Sequence, residues 1–593
     1  MPAVPETLAV PGGSPASDAA AALLTELVAN GIRDLVLSPG SRSQALALAA
    51  MELSRQGVLR VHVRIDERAA GFTALGIARE SRLPVAVVCT SGTAAGNLLP
   101  ATMEAFHSGI PLLLLTADRP PELRGVGANQ ATMQWGLFGS FVRWQADAEV
   151  PGAVVPGRLE RGARADRVSE GRAAATTGVP DDGATAWPAL GRRAVVAALG
   201  LSGEGVPGVA GPVHLNLPAR EPLSAVTDVV AQPGPAPTRA AVEPLVLERA
   251  LRTIVIAGAD AGPGAEEISH QGGWPLIAEI VSGARFGRLV VHGYRELLKD
   301  ESLGGRIERA VVFGHPTLSR EVAGLLARDD IDVVAVRGGG EELNLNGRTM
   351  AVDGVAVADG DRDRQWLGAW MNASAARVVD LSAPAPDNDG LFSDDKEARL
   401  SAVRAELAAV RARVDREILV DAVWRATWPH DRLMFGSSRL VRVADQVLGG
   451  KKVPVHANRG LAGIDGTIAT GLGIALASQA AGAAGVTRVL LGDLAFLHDV
   501  GALLLPADEP HPRIQVIVGN DGGGTIFDGL EVAASAPAED LDRAFYTPHG
   551  ADLSALATAY GWEYTQVSTR SALEQALTSP APGPQIIEVP LER

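Results

Sequence analysis

Two hydrophobic rhythms alternate along residues 18–118. AAAALLTELVANG keeps its apolar residues on one helical face and stops at Gly31. DLVL is a short apolar run that enters a Gly/Ser turn, SPGSRS. The succession then repeats. QALALAAMELSRQG predicts a helix, RVHVRI a strand, AGFTALGIARES a helix and LPVAVVCTSG a strand. NLLPATMEAFHSG predicts a further helix and IPLLLLTAD a further strand. Repeated β–α units with apolar strands predict a parallel sheet covered on both faces. Ligands of such sheets lie beyond the carboxyl ends of the strands, where SPGSRS, DER, TSGT and TADRPPE fall.

The rhythm breaks over residues 157–195, which are polar, Gly-rich and aperiodic and read as a loop or insertion. GPVHLNLPAREPL adds one more strand, and VVAQPGPAPTRAAVEP at 229–244 reads as a linker. A second block, about 250–385, has strands in RTIVIAG, RAVVFG and DVVAVRG. Its GADAGPG turn lacks the G-x-G-x-x-G spacing of a dinucleotide loop. A second linker, APAPDNDGLFSDDKE, leads to a long Ala/Arg/Glu-rich helix expected around 395–418. From about 430, DRLMFGSSRLVRVAD, KVPVHANRGLAGIDG, TRVLLGDLAFLHD and IQVIVGNDGGGTIFDGL repeat the strand-then-polar-turn arrangement. The expected architecture is α/β with three doubly wound parallel-sheet domains. They are residues 1–228 (with the insertion near 157–195), 229–394 and 395–593.

Composition narrows the function. The 593 residues are 47% hydrophobic and 21% charged, enough for several large cores. A net charge of −16 argues against a general nucleic-acid binder, whose footprint is basic. The single cysteine, Cys89, excludes an intramolecular disulfide and fits a reducing compartment. Its setting in PVAVVCTSG reads as a buried structural thiol. The N-terminal stretch has no basic-then-apolar targeting pattern, and PLLLLTA is far too short to span a bilayer. A soluble, cytoplasmic protein is expected.

Two places carry candidate chemistry. In IDERAAGF, Glu67 sits where a strand hands over to a helix with an almost uncharged body. Asp66 or Glu67 could simply cap that helix. The second place is a pair: Asp493 follows the strand VTRVLL, and Asn520 follows IQVIV 27 residues later, one β–α–β step. An Asp carboxylate, an Asn amide oxygen and a backbone carbonyl form a hard oxygen set suited to Mg²⁺. The glycines at 522–524 let backbone N–H groups approach phosphate.

With TSGTAAGNLLPATMEA, LTADRPPELRGVGANQ, NRGLAGIDGT and GGGTIF, these motifs resemble the thiamine diphosphate enzymes. Among them they are most similar to the 2-succinyl-5-enolpyruvyl-6-hydroxy-3-cyclohexene-1-carboxylate synthases of the menaquinone pathway. The resemblance covers nearly the whole chain and is strongest at 31–145 and 431–550. It implies three domains of thiamine diphosphate-enzyme type, pyrimidine-binding, central and diphosphate-binding in order. It implies the cofactors thiamine diphosphate and Mg²⁺ (or Mn²⁺), and the substrates 2-oxoglutarate and isochorismate. Glu67 then becomes the acid–base residue that drives proton transfer on the aminopyrimidine. Ser41, Arg42, Arg119, Asn129, Gln130 and Arg320 match substrate-binding positions. Arg442 and Arg459 match active-site arginines. Ile464 matches the apolar wedge that keeps the cofactor bent, and Ser438, Leu494 and Phe527 match pocket positions. The metal ligands implied are Asp493, Asn520 or Asp521, and Gly522.

Three departures stand out. Leu494 replaces the usual third residue of a Gly-Asp-Gly motif, and Gly519-Asn520 replaces an Asn-Asn pair. Counting from the strand favours Asn520 as ligand, and counting back from Ile526-Phe527 favours Asp521. Ser319 stands where a Lys is expected beside Arg320. The resemblance further implies a homodimer or homotetramer with active sites between subunits. Another thiamine diphosphate-dependent decarboxylase or carboligase would keep Glu67 and the metal turns but has no reason for so many arginines. A non-catalytic diphosphate-binding regulator would not need Glu67.

Overall fold

A computed structural model describes residues 13–152, 186–201, 208–226, 228–238 and 242–593. The chain forms two compact units. One runs to Ala241 and includes Pro506–Glu509; the other comprises Val242–Leu505 and Pro510–Arg593.

The first unit is built on six strands: β1 (Asp34–Leu37), β2 (Arg60–Val63), β3 (Val85–Cys89), β4 (Leu112–Asp118), β5 (Trp144–Asp147) and β6 (Val213–Pro218). They lie in the order β2-β1-β3-β4-β6-β5, all parallel. β3 and β4 are buried along their whole length, as their unbroken apolar runs require. The helix Pro15–Ala29 packs Leu23, Leu24 and Leu27 into the same core as Leu190 and Val195. The helix Glu67–Ser81 is buried along most of its length, and small residues make this possible. A Cβ on Gly71 would stand 2.8 Å from the Ala101 side chain of the neighbouring helix.

The second unit carries two larger sheets, one on each side of the expected boundary at 394/395. β8 (Thr253–Ala257), β9 (Leu276–Ala278), β10 (Arg309–Phe313), β11 (Asp332–Val336) and β12 (Met350–Val352) form the order β12-β11-β10-β8-β9. β7 (Leu245–Leu247) pairs with β13 (Val355–Val357) beside it. The remaining strands are β14 (Arg432–Phe435), β15 (Val455–Ala457), β16 (Thr487–Gly492), β17 (Ile514–Asn520), β18 (Glu563–Gln566) and β19 (Pro584–Pro590). Their order is β15-β14-β16-β17-β19-β18, again all parallel. The helix Thr467–Ala480 lies close on this sheet, since a Cβ on Gly471 would stand 2.3 Å from Val489 Cγ2.

Three expectations change. Trp187–Ala198 is a helix, so the loop expected over 157–195 ends earlier. Its Leu190, Ala194 and Val195 face the first core, a pattern hidden by the polar stretch before it. Residues 153–185 of that stretch lie outside the described residues. The presumed linker over 229–244 belongs in its first part to the first unit. Val229 and Ala231 are buried there, Gln56 donates to the Val229 carbonyl at 2.7 Å, and the Gly234 amide donates to Val28 O at 3.2 Å. The long helix expected over 395–418 is two helices, Lys396–Val410 and Arg416–Ala426. Asp415 interrupts it by capping the second, accepting from the Ile418 amide at 2.8 Å.

Candidate active site

In the first unit, every motif singled out from the sequence lies at the carboxyl edge of the sheet. After β1, Gly40 lies so close to Thr90 that a Cβ there would come within 2.2 Å of it. The Arg42 amide donates to Thr90 Oγ1 at 3.3 Å, and Arg42 Nε is buried without a partner. Ser41, next to it, is exposed. After β2, the capping question is answered: Asp66 Oδ1 accepts from the Arg68 amide at 2.8 Å and the Ala69 amide at 3.4 Å. Glu67 is therefore not needed as the cap, and its carboxylate begins the helix half-buried. Burial, and then the Glu67 charge, push the Cys89 thiol up, which places the acid beside the end of β3 and keeps the thiol inert.

After β3, Ser91 and Gln130 clasp each other. Ser91 Oγ donates to the Gln130 carbonyl at 2.9 Å, and Gln130 Nε2 donates to the Ser91 carbonyl at 2.9 Å. Gln130 adopts a left-handed backbone to do so, with φ 56°. After β4, Arg119 Nε and Nη2 donate to the Asn129 carbonyl at 3.1 and 2.8 Å. Arg119 thus holds the loop that presents Asn129 and Gln130, both exposed.

The third sheet gathers the second set. β16 and β17 are adjacent and in register at Gly492 and Gly519, so Asp493 and Asn520 leave neighbouring strand ends as the spacing predicts. Asp493 is 2% exposed. Its Oδ1 accepts from the Leu494 amide at 2.6 Å and its Oδ2 from the Gly523 amide at 2.8 Å. Gly523 is required there: its φ is 150°, and a Cβ would stand 2.4 Å from the Tyr546 carbonyl. Burial, and then the nearby Asp521 charge, push the Asp493 carboxyl above its ordinary range. His549 Nε2 stands 3.2 Å from Asp493 Oδ2 but outside hydrogen-bonding geometry.

Asn520 Oδ1 accepts from the Gly522 amide at 3.1 Å, and its Nδ2 donates to Glu588 Oε1 at 2.7 Å. Asp521 is held through one oxygen, Oδ2. Arg416 Nη2 donates to it at 2.7 Å, and Thr525 donates its hydroxyl to the same oxygen. The Gly522 carbonyl accepts from Arg593 Nη2 at 3.2 Å. Gly519 explains the missing first Asn, since a Cβ there would meet Leu440, Leu591 and Leu419 at 2.9–3.2 Å.

These residues fit a divalent cation carrying a diphosphate. A buried carboxylate beside a second carboxylate is short of positive charge. An Asp carboxylate, an Asn amide oxygen and a backbone carbonyl are the hard oxygen donors present here. Ser438, at the start of the helix Arg439–Val447, has a buried hydroxyl without a partner and lies 3.6 Å from where a Gly492 Cβ would be. Leu494 is half-buried, Ile464 is 37% exposed, and Phe527 stacks edge-on against Phe545 at 5.4 Å.

Arginines of the second unit form the remaining feature. Partial burial, and then the charges of Arg295 and Arg320, hold the Arg442 guanidinium below its ordinary value. Arg320 has only a 3.5 Å contact to Glu531, with both side chains over 80% exposed. The Ser319 departure has a local reason: its hydroxyl caps the helix Arg320–Leu326 by accepting from Val322 N at 3.3 Å. Arg459 is buried, donating from Nε to Thr317 Oγ1 at 2.9 Å and from Nη2 to Thr317 O at 3.2 Å.

Several residues in this region escaped the sequence reading. Asp445, fully buried, takes Arg295 Nη2 at 2.7 Å, Arg285 Nη1 at 3.2 Å, the Tyr294 hydroxyl at 2.6 Å and the Ile280 amide at 2.9 Å. Glu279 accepts from the amides of Thr317 at 3.1 Å and Leu318 at 2.7 Å. Burial, and then the Asp445 charge, push its carboxyl up to about 8. A lone acid inside the apolar run PLIAEIVSG was the available signal for Glu279. Arg295, Arg416 and Glu588 had none.

Parallel sheets bearing a helix-start glutamate in one and an Asp/Asn pair on adjacent strand ends in another define a thiamine diphosphate-dependent enzyme. The family model "Thiamine pyrophosphate enzyme, N-terminal TPP binding domain" matches residues 17–137. The crystal structure of benzoylformate decarboxylase from Polynucleobacter necessarius shares the fold, with a TM-score of 0.61 over 98% of this chain and 99% of its own at 14% identity. Two curated relatives are much nearer in sequence, and both are named 2-succinyl-5-enolpyruvyl-6-hydroxy-3-cyclohexene-1-carboxylate synthase. The one from Leifsonia xyli subsp. xyli is 50% identical over 98% of this chain and 97% of its own. The one from Clavibacter michiganensis subsp. michiganensis is 48% identical over 100% and 99%. The chain belongs to this synthase family. No helix among the described residues is long and apolar enough to cross a membrane.

Proposed function

We propose that the protein uses thiamine diphosphate and Mg²⁺, or Mn²⁺, to decarboxylate 2-oxoglutarate and join the remaining four-carbon unit to isochorismate. One carbon–carbon bond breaks as CO₂ leaves, and one forms to isochorismate. The product is 2-succinyl-5-enolpyruvyl-6-hydroxy-3-cyclohexene-1-carboxylate, a step of menaquinone biosynthesis in the cytoplasm. The observation that carries this reading is Arg442, partly buried within reach of the charges of Arg295 and Arg320, of which Arg320 has only an exposed 3.5 Å contact to Glu531. Each substrate brings two carboxylates, and guanidinium groups bind carboxylates in bidentate fashion.

Bound thiamine diphosphate supplies the carbon nucleophile and the electron sink. Glu67 takes up and returns a proton at its carboxylate, and Cys89 beside it stays protonated and neutral. Asp493, the Asn520 amide oxygen and the Gly522 carbonyl hold the cation. Asn520 is preferred to Asp521 because it ends β17 beside Asp493, whereas Asp521 gives one oxygen to Arg416 and Thr525. Ser438, Leu494, Ile464 and Phe527 line the cofactor. Arg442 and Arg459 bind 2-oxoglutarate. Ser41, Arg42, Asn129, Gln130 and Arg320 bind isochorismate, with Arg119 holding the 129–130 loop. The working form is a homodimer or homotetramer with active sites between subunits. Incubation with both substrates, cofactor and Mg²⁺ tests the reading by mass detection of the joined product. Decarboxylation of 2-oxoglutarate without that product would leave a different thiamine diphosphate-dependent decarboxylase or carboligase.

A further inference from the structure

We propose that Glu588 is a positioning residue: it fixes the Asn520 amide so that its oxygen, and not its nitrogen, faces the Gly-rich turn. The inference rests on reading that turn as the cation site. In the register of β17 and β19, Val518 lies opposite Glu588 and Asn520 opposite Pro590. Glu588 and Asn520 are therefore diagonal neighbours on one face of the sheet. Tyr564, opposite Ile586 on β18, is the diagonal neighbour of Glu588 on its other side. Three polar side chains thus form a line across three strands, with Glu588 only 7% exposed at its centre.

A carboxylate can only accept hydrogen bonds. Glu588 Oε1 takes the Asn520 Nδ2 donor at 2.7 Å, and its Oε2 takes the Tyr564 hydroxyl. With the NH₂ group held on the Glu588 side, Asn520 Oδ1 must lie on the opposite side. There it meets the Gly522 amide at 3.1 Å and keeps a second lone pair. Mg²⁺ takes oxygen ligands, so an amide turned by half a rotation would present N–H groups to the cation. Arg416 and Thr525 both hold Oδ2 of the neighbouring Asp521, which fixes that side chain by one oxygen. Glu588 therefore decides which atom of the Asn520 amide faces the turn.

The test measures thiamine diphosphate binding by calorimetry at stepped Mg²⁺ concentrations, beside kcat at saturating Mg²⁺. Glu588→Met, a near-isostere without an acceptor, should raise the Mg²⁺ needed for half-maximal binding by about 10- to 100-fold, the usual range for a residue behind a metal ligand. Its kcat at saturating Mg²⁺ should stay within about threefold, and Glu588→Gln, which can still accept from Asn520, should stay within about threefold of wild type in both readouts. Asn520→Ala combined with Glu588→Met should be no worse than Asn520→Ala alone. An unchanged Mg²⁺ requirement in Glu588→Met, or losses that multiply in the double variant, overturns the inference while Asn520→Ala still shifts the requirement. An Asn520→Ala variant with an unchanged requirement instead removes Asn520 from the cation site, and the inference falls with it. If Glu588→Met does not fold, Tyr564→Phe carries the test. Losing that one hydrogen bond should raise the Mg²⁺ requirement about threefold, and no change there overturns the inference.

Discussion

The first and third sheets share one strand order, yet each buries an acid at a strand end in a different way. Asp118, ending β4, is 1% exposed, and Asp493, following β16, is 2% exposed. Burial pushes both carboxyls up. Asp118 has its counter-charge built in: Arg124 lies 3.0 Å away, and Asn216 donates at 2.8 Å. Asp493 also has a second acid acting on it, as Asp118 has Asp147, but it takes two backbone amides and a histidine ring 3.2 Å away in place of an arginine. A shared scaffold therefore leaves open how the charge at a strand end is balanced.

The largest effect expected is at Asp493. Asp493→Ala should abolish Mg²⁺-dependent thiamine diphosphate binding, beside a cost of about 1–3 kcal/mol for the two amides left unpaired. Asp118→Ala should carry a similar cost of about 1–3 kcal/mol and leave cofactor affinity intact. Calorimetry and thermal melts on both variants check this, and equal behaviour would erase the distinction. Next in size is Glu67→Gln, which should cut turnover at least ~10²-fold while cofactor affinity stays within about tenfold. Near-normal steady-state rates would make Glu67 a mere companion of the Asp66 cap.

Arg459→Ala or Arg442→Ala should raise the KM for 2-oxoglutarate by roughly 30-fold or more, the usual result of removing a charge-assisted partner. Arg320→Ala should weaken isochorismate instead, and equal losses for both substrates would reduce the arginines to scaffolding. A smaller effect is expected at Gly519. Gly519→Ala should cost about 1 kcal/mol of stability, since only flexible leucine ends must shift. A neutral denaturation midpoint would remove packing as the reason for the missing Asn.

The last effect concerns pH. Glu279 has a carboxyl raised from 4.5 to about 8, so the fold disfavours its ionised form. The stability it contributes is full below the lower value and is lost as pH rises through the upper one. Glu279→Gln should flatten the pH dependence of the melting temperature between those limits, and an unchanged slope would contradict the assignment.

Most of the first and third sheets was legible in the sequence because their strands are unbroken apolar runs followed by polar turns. Glu67, Asp493 and Asn520 stood at those turns and could be singled out. β5 was missed because WQAD is half-polar. The break at Asp415 was missed because Ala, Arg and Glu favour helix on both sides of it. Arg295 and Glu588 were invisible for a deeper reason. Their roles come from neighbours 150 and 68 residues away, Asp445 and Asn520, and no local pattern encodes such a pairing.

Asp445 also bears on how freely the chain can be recombined. It lies on the helix that carries Arg442, and its partners all come from residues 280–295. Those residues and that helix therefore act as lock and key. A chimaera that took residues 242–380 from a distant relative would inherit a keyhole without its key, or an unpaired acid inside an apolar wall. Exchanges that move the two segments together should remain soluble, whereas exchanges that split them should not. Shuffling of this chain is thus limited by one aspartate rather than by the boundaries between its sheets.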